Sequence, residues 1–331
     1  MAPNTRRFLV GSAIVVTAGL CTGLVAYYSG ALPGRAARTE LSYIPADVSA
    51  VAFADVRAIM NSEFSQRIRE VMPTGADKHR LLEETGIDIE RDIDTVLAGL
   101  SGADATGALV VMRGRFDQSR IEALAVRNGA RQEQYGGRAM LVGLSTLEAA
   151  DGAHTAHVPA LVFLDDGLLA IGDVTALRKA IDVAAGGQDV ASNQDMMRFI
   201  ASVQGRGNAW LVGRAADMTA QPHVPDQLRS QVEAIEWLSV SANIDRDVRG
   251  VIRAEARDDD SGQQLRTVLA GALAAAKMFG EQDTRLAAAL NSVQATGSGR
   301  NVELSFEVSS ALLDMIRPGS PTPALPSPAV P

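Results

Sequence analysis

One group of potential metal ligands in the sequence combines an aspartate with two histidines. Asp151, His154 and His157 fall within the run Asp-Gly-Ala-His-Thr-Ala-His, and carboxylate and imidazole groups together suit zinc or a similar metal. The spacing matches no zinc signature, however, and residues 145–158 are polar and predict an irregular loop. The pattern therefore favours solvated loop histidines over a metal site.

A second candidate is a run of acids that resembles the start of a calcium loop. The acids alternate along the chain at Asp88, Glu90, Asp92 and Asp94. Ile93 stands where the EF-hand turn needs glycine, and Gly99 stands where the closing glutamate belongs. We interpret this run as a charged turn that leads into a strand.

The remaining motifs that could do chemistry are incomplete. The run Gly99-Leu-Ser-Gly-Ala103 departs from a nucleophile elbow because alanine replaces the final glycine. Gly205-Arg-Gly207 and Gly297-Ser-Gly299 lack the third glycine of a dinucleotide loop. Asp258-Asp259-Asp260 precedes a long predicted helix, where carboxylates favour an N-cap role. We predict no catalytic, cofactor-binding or metal site, and we expect that the protein is not an enzyme.

The net charge and the cysteine content of the chain limit its possible partners and the ways in which it can be stabilised. The chain carries a net charge of −8, and removing Arg6 and Arg7 from its 31 basic residues leaves 29 against 39 acidic ones, a net charge of −10. Such a surface repels phosphate backbones, so we expect no nucleic-acid partner. The single cysteine, Cys21, lies in an apolar run near the start. The rest of the chain therefore has no disulfide and must be stabilised by core packing.

That apolar run, residues 8–28, contains no charged residue and follows Arg6 and Arg7 directly. At about 1.5 Å per residue its helix would span roughly 30 Å, the thickness of the hydrocarbon core of a bilayer. We predict a single-pass anchor in the cell membrane, with residues 1–7 as the cytoplasmic flank. The bulk of the chain would then be extracytoplasmic, and periplasmic in a Gram-negative cell.

Two other export interpretations stay open. Ser29 and Ala31 are small residues placed to precede a signal-peptidase cleavage, although the run exceeds the usual core of about 7–15 residues. The arginine pair followed by Phe8-Leu9 resembles a twin-arginine export signal, from which Val10-Gly11 departs. The sequence does not distinguish the Sec and twin-arginine routes.

Beyond a Gly/Ala/Arg linker at residues 29–42, apolar strand-length runs alternate with helical patterns. Asp55, Asp117 and Asp173 are placed to cap helices, and Gly136-Gly137 and Asp165-Asp166-Gly167 predict hairpin turns. Trp210 and Trp237 lie in strand-like runs and are predicted core residues. Successive hairpins with helices between them predict an α+β fold of mostly antiparallel sheets with covering helices.

The two halves of the chain show a similar order of elements. We predict a first α+β unit over residues 43–190 and a second over residues 191–317, with an extra hairpin at 160–171 in the first. Such pseudo-repeats indicate one sheet-and-helix unit made twice, although chance order in an α+β chain is the alternative. A long helix in the second unit carries an apolar stripe: Leu265, Val268, Leu269, Ala272, Leu273 and Ala276. The proline-rich residues 318–331 predict a disordered tail.

The opening of the first unit resembles a known kind of protein. The run Tyr43-Ile-Pro-Ala-Asp-Val48, and the strand followed by Asp55-Val-Arg57, are similar to those of uncharacterised exported single-pass bacterial proteins of the domain-of-unknown-function kind. The resemblance extends over most of residues 43–317 and implies no activity.

These patterns together predict a membrane-anchored extracytoplasmic interaction or structural module without a catalytic centre. Its expected partners are the membrane, through residues 8–28, and an envelope protein. The alternative is a binder or carrier of a small apolar or lipid ligand, held between the sheet and the helices. The stripe at 265–276 would line that cleft, and close packing of the helix on the sheet is the other interpretation of the stripe.

Overall fold

A single antiparallel β-sheet organises the chain in its computed structural model, which describes residues 38–71, 82, 86–101, 108–143, 158–216, 233–280 and 284–310. The strands are β1 (Ala50–Asp55), β2 (Ile93–Leu100), β3 (Leu109–Gly114), β4 (Arg131–Tyr135), β5 (Arg138–Val142), β6 (Pro159–Asp165), β7 (Leu168–Asp173), β8 (Ala209–Arg214), β9 (Ile235–Ile244), β10 (Val248–Ala256), β11 (Gln294–Thr296) and β12 (Asn301–Val308). The helices are α1 (Arg38–Leu41), α2 (Val56–Met60), α3 (Glu63–Val71), α4 (Ile89–Asp92), α5 (Gln118–Arg127), α6 (Val174–Ala184), α7 (Gln194–Val203), α8 (Asp259–Gly280) and α9 (Thr284–Ser292).

The predicted helix caps are present in the structure. Asp55 accepts a hydrogen bond from the backbone N–H of Ala58, Asp117 accepts one from Arg120, and the N–H groups of Thr175 and Ala176 both donate to Asp173. Each aspartate thus satisfies N–H groups that the first helical turn leaves unpaired. The predicted starts of α2, α5 and α6, and the α+β antiparallel class, are confirmed.

Both faces of the sheet carry helices. On the front face, which holds Val51 and Phe53 of β1, α6 and α7 cover the strands through Leu177 and Ile200. The back face holds Ala52 and Ala54 of β1. There Ile121 of α5 shares an apolar cluster with Met112 of β3 and Leu141 of β5, and α8 lies over β10 and β12. The core is therefore two apolar layers separated by one sheet.

The sheet has the same order on both sides of its central pair. The full order is β11-β12-β10-β9-β8-β1-β2-β3-β7-β6-β5-β4. From the antiparallel β1–β8 pair outward, β2 and β3 correspond to β9 and β10, and the outermost hairpins are β4–β5 and β11–β12. The β6–β7 hairpin, expected as the extra element, lies between β3 and β5. The helices α5 and α8 both follow the third strand and both lie on the back face.

This order is what a repeated unit would give, and the common origin of the two halves stays a prediction. The sheets of the two expected units are one sheet, because β1 pairs with β8 along five residues from Ala50 to Ala54. Sequence reasoning also missed α7, although Asn193 caps it and Met196, Phe199 and Ile200 have helical spacing.

The predicted linker at residues 29–42 is wrong at its end. Residues 38–41 form α1, and Leu41 is buried in the front core. The predicted anchor 8–28 and tail 318–331 lie outside the described residues. Within the described ranges, no helix combines the length and the apolar composition that a membrane crossing requires.

Candidate interaction surface

The residues that the sequence offered as metal ligands do not meet in the described structure. Asp88 caps α4 by accepting from the N–H of Glu90, Asp92 accepts from the N–H of Asp88, and Asp94 pairs with Arg57. The four acids at 88–94 therefore serve a turn and a surface ion pair, as interpreted from the sequence. Asp151, His154 and His157 lie outside the described residues, and the described ranges hold no cluster of three or more His, Cys, Asp or Glu placed to bind a metal ion.

The acid run at the start of α8 is structural too. The N–H of Ser261 donates to Asp258 Oδ1 at 2.7 Å, and this hydrogen bond holds the pKa of the Asp258 carboxyl below its usual value. The predicted N-cap role is confirmed. Trp210 and Trp237 are buried in the front core, which confirms their predicted placement.

A shallow cleft of about 610 Å³ opens where β2, β3 and the β6–β7 turn end. It is lined by Asp94, Arg113, Gly114, Arg115, Phe116, Asp117, Asp166 and Gly167. Several of its charged groups already have protein partners: Arg115 donates to the carbonyl of Arg91, Asp117 caps α5, and Arg113 pairs with Glu40. A charged and internally paired lining does not suit an apolar ligand.

The Arg113–Glu40 pair fixes the point where the chain enters the domain. The Glu40 side chain is only 3% exposed, and its Oε1 accepts from Arg113 Nε. Its Oε2 is buried without a hydrogen-bond partner among the described residues. This pair therefore ties α1 to β3.

Beyond β9, the front face of the sheet changes from an apolar to a charged surface. Over β10 and β12 its side chains are charged and form cross-strand pairs, Arg249–Glu307 at 3.2 Å and Arg253–Glu303 at 2.6 Å. At one end of this part, Arg198 of α7 pairs with Glu255 of β10 at 3.2 Å. The paired charges are those of a solvated sheet face.

One side of α8 is fixed firmly to the back face. Leu265 is buried against Ala254 and Val302. Arg266 Nη1 donates to the carbonyls of Gly299 and Asn301 at 2.7 and 2.9 Å. The first half of the helix therefore has a defined orientation on the sheet.

From Thr267 onward, α8 exposes a mostly apolar surface over three turns. Val268 is 38% exposed and Met278 is 73% exposed. The exposed positions from 267 to 278, which we call the outer surface of α8, are Thr267, Val268, Ala270, Gly271, Ala272, Ala274, Ala275 and Met278. No charged residue occurs between Arg266 and Lys277. A solvent-facing helix normally carries charged or polar side chains on this side.

The fold does not impose this apolar surface, because α5 holds the corresponding place in the other half. Its exposed positions include Arg120, Ala123, Val126 and Arg127, so that charged side chains flank the exposed Val126. Two helices with the same relation to the sheet thus differ in what they present to solvent. The apolar outer surface is a property of the α8 sequence.

The prediction that the apolar stripe of α8 forms one continuous face was wrong. Leu265 and Leu269 pack on the sheet, whereas Val268 and Ala272 are exposed. Because the helix is apolar on every side from 268 to 276, its periodicity does not tell which residues are buried.

Comparisons with protein-family models, with curated proteins and with solved structures find no match to this chain. No family is therefore assigned, and the resemblance to exported single-pass proteins stays a prediction.

Proposed function

We propose that this chain is a membrane-anchored, extracytoplasmic interaction module without a catalytic centre. Residues 8–28 would anchor it in the cell membrane, and the twelve-stranded domain would present a binding surface to an envelope protein. The observation that carries the proposal is the apolar outer surface of α8, which is exposed on a helix fixed to the sheet by Leu265.

Exposed apolar surface of this kind is characteristic of association. Alanine on a water-facing side favours the helix itself, but exposed valine and methionine leave apolar area in water that a partner would cover. Interface cores are depleted in charge and tolerate methionine well. The outer surface of α8 has both features, and α5 in the corresponding place has neither.

The alternative from the sequence, a carrier of an apolar or lipid ligand, has less support. Such ligands occupy concave sites that enclose most of their surface. The inner side of α8 is filled by contacts with Ala254 and Val302, and its outer surface is convex. The cleft at the ends of β2 and β3 is lined mainly by charged residues.

Site-specific photo-crosslinking in intact cells tests the proposal. A benzoylphenylalanine placed at Ala275, on the outer surface of α8, should yield discrete adducts in the membrane fraction. The matched control is Ala123, an exposed alanine on α5, which should yield none. Equal yields from both positions, or no adduct from Ala275, would refute the interaction role.

A further inference from the structure

The outer surface of α8 contains a regular seam. Gln264, Val268, Gly271, Ala275 and Met278 follow one another at intervals of four, three, four and three residues, and all five are exposed. This spacing places them in one line along a helix, as in the contact seam of a two-helix coiled coil. Leu265 and Leu269, which pack on the sheet, are rotated about 100° and about 140° from the middle of this line.

We infer that the partner on this seam is a second copy of the chain, packed as an antiparallel pair of α8 helices. The inference rests on the proposed interaction role and names its partner. If two copies meet at a two-fold axis near Leu273, Val268 lies opposite Met278 of the second copy. Gly271 then lies opposite Ala275. A large side chain faces a medium one at each end of the contact, and small residues face each other near the axis.

The small residues allow the two helices to approach closely. Gly271 has no neighbouring atom within 4 Å of the place where a Cβ would lie, so its surface is open in the single chain. Glycine and alanine at the contact bring two helix axes toward the short end of the usual 8–10 Å separation. The seam carries no charged residue from Val268 to Met278, so the pairing removes no charged side chain from water.

Charge selects the antiparallel arrangement. Asp258, Asp259 and Asp260 are exposed at the N-terminal end of α8. A parallel pair would bring the two acidic runs together, whereas an antiparallel pair separates them by the length of the helix. The same acids disfavour an anionic lipid surface as the occupant, because such a surface attracts lysine and arginine.

The contact is small. The segment from Val268 to Met278 is about 16 Å long and about 10 Å wide, so each copy buries well under the roughly 800 Å² of a standard interface. We therefore expect weak association in dilute solution. Copies that share one membrane have a much higher effective concentration, which is where the pair should form.

The test uses two differently tagged full-length chains expressed together, solubilised from membranes after mild cross-linking, and captured through one tag. The wild-type chain should retain its second copy. Ala275→Glu places an unpaired charge against Gly271 of the other copy and should reduce retention at least about 100-fold. Ala123→Glu adds the same charge at an exposed alanine of α5, away from the outer surface of α8, and should leave retention unchanged.

Other outcomes overturn the inference. Loss of retention in both variants would assign the effect to charge alone, and retention in Ala275→Glu would place the contact elsewhere. An adduct from Ala275 with a different protein would keep the interaction role and refute the second copy. The chain's own residues 311–331, which follow Ser310 in sequence, are the competing occupant that a deletion tests. If the chain captures its second copy only after residues 311–331 are deleted, these residues cover the seam in the full-length chain. That result would overturn the inference.

Discussion

Truncation to alanine should lower the free energy of unfolding more at Leu265, which packs on the sheet, than at Val268, which is exposed. Leu265→Ala removes three carbons at about 0.8 kcal/mol each when buried, and Leu265 is 8% exposed. The transfer loss is thus about 2 kcal/mol, and the cavity left against Ala254 and Val302 raises the total to about 3 kcal/mol.

Val268→Ala should cost much less. It removes two carbons from a residue that is 38% exposed, which loses about 1 kcal/mol of burial. The better helix propensity of alanine returns about 0.5 kcal/mol. The net loss in the free energy of unfolding is about 0.5 kcal/mol, roughly one sixth of the loss for Leu265→Ala.

Urea unfolding of the full-length chain in detergent checks this contrast. Trp210 and Trp237, the two tryptophans of the chain, are both buried and report on the core. The measurement belongs in an Ala275→Glu background, so that association of α8 contributes nothing. Equal losses for Leu265→Ala and Val268→Ala, or a larger loss for the latter, would refute the assignment of the inner and outer sides.

Three further predictions concern the contacts that hold the domain together. Arg113→Ala leaves the buried Glu40 carboxylate unpaired and should lower the free energy of unfolding by on the order of 3 kcal/mol, with partial recovery when Glu40→Ala is added, as measured by urea unfolding. Gly250→Ala places a Cβ 2.3 Å from Cζ of Phe306 and should cost about 1–3 kcal/mol, an effect that Phe306→Leu should relieve in a double-mutant cycle. The pKa of Asp258 is lower in the folded chain than in an unfolded one, because the N–H of Ser261 donates to its carboxylate. Its stabilisation is therefore present above the unfolded pKa and is lost as the pH falls through the folded pKa, so Tm measured against pH should show a smaller acid-side loss for Asp258→Asn than for wild type.

Local chemistry made much of the fold predictable. Asp55, Asp117 and Asp173 mark helix starts because each carboxylate bonds N–H groups two or three residues further on. The turns at Gly136-Gly137 and Gly167 need positive φ values, which these glycines adopt. Such signals act over a few residues and can be recognised along the sequence.

The joining of the two halves could not be predicted in this way. The pairing of Phe53 with Trp210 connects strands far apart in sequence, and the alternation of apolar residues in β1 would fit many partners. The outer surface of α8 could not be predicted from the sequence for a related reason. Every side of α8 between Val268 and Ala276 is apolar, so only the position of Leu265 over Ala254 and Val302 decides which side faces solvent.

Disulfide trapping in membranes tests the anchored, paired chain most directly. Two tagged full-length chains, both with Cys21→Ser, would carry Gly271→Cys and Ala275→Cys respectively. The account predicts a disulfide-linked pair of the two tags in the membrane fraction, formed by an oxidant that does not enter the cytoplasm. This 271–275 pair should exceed the 271–271 and 275–275 pairs. Recovery of the intact chain from the cytosol would contradict the anchored arrangement. Equal yields of the 271–275, 271–271 and 275–275 pairs would contradict the antiparallel pairing.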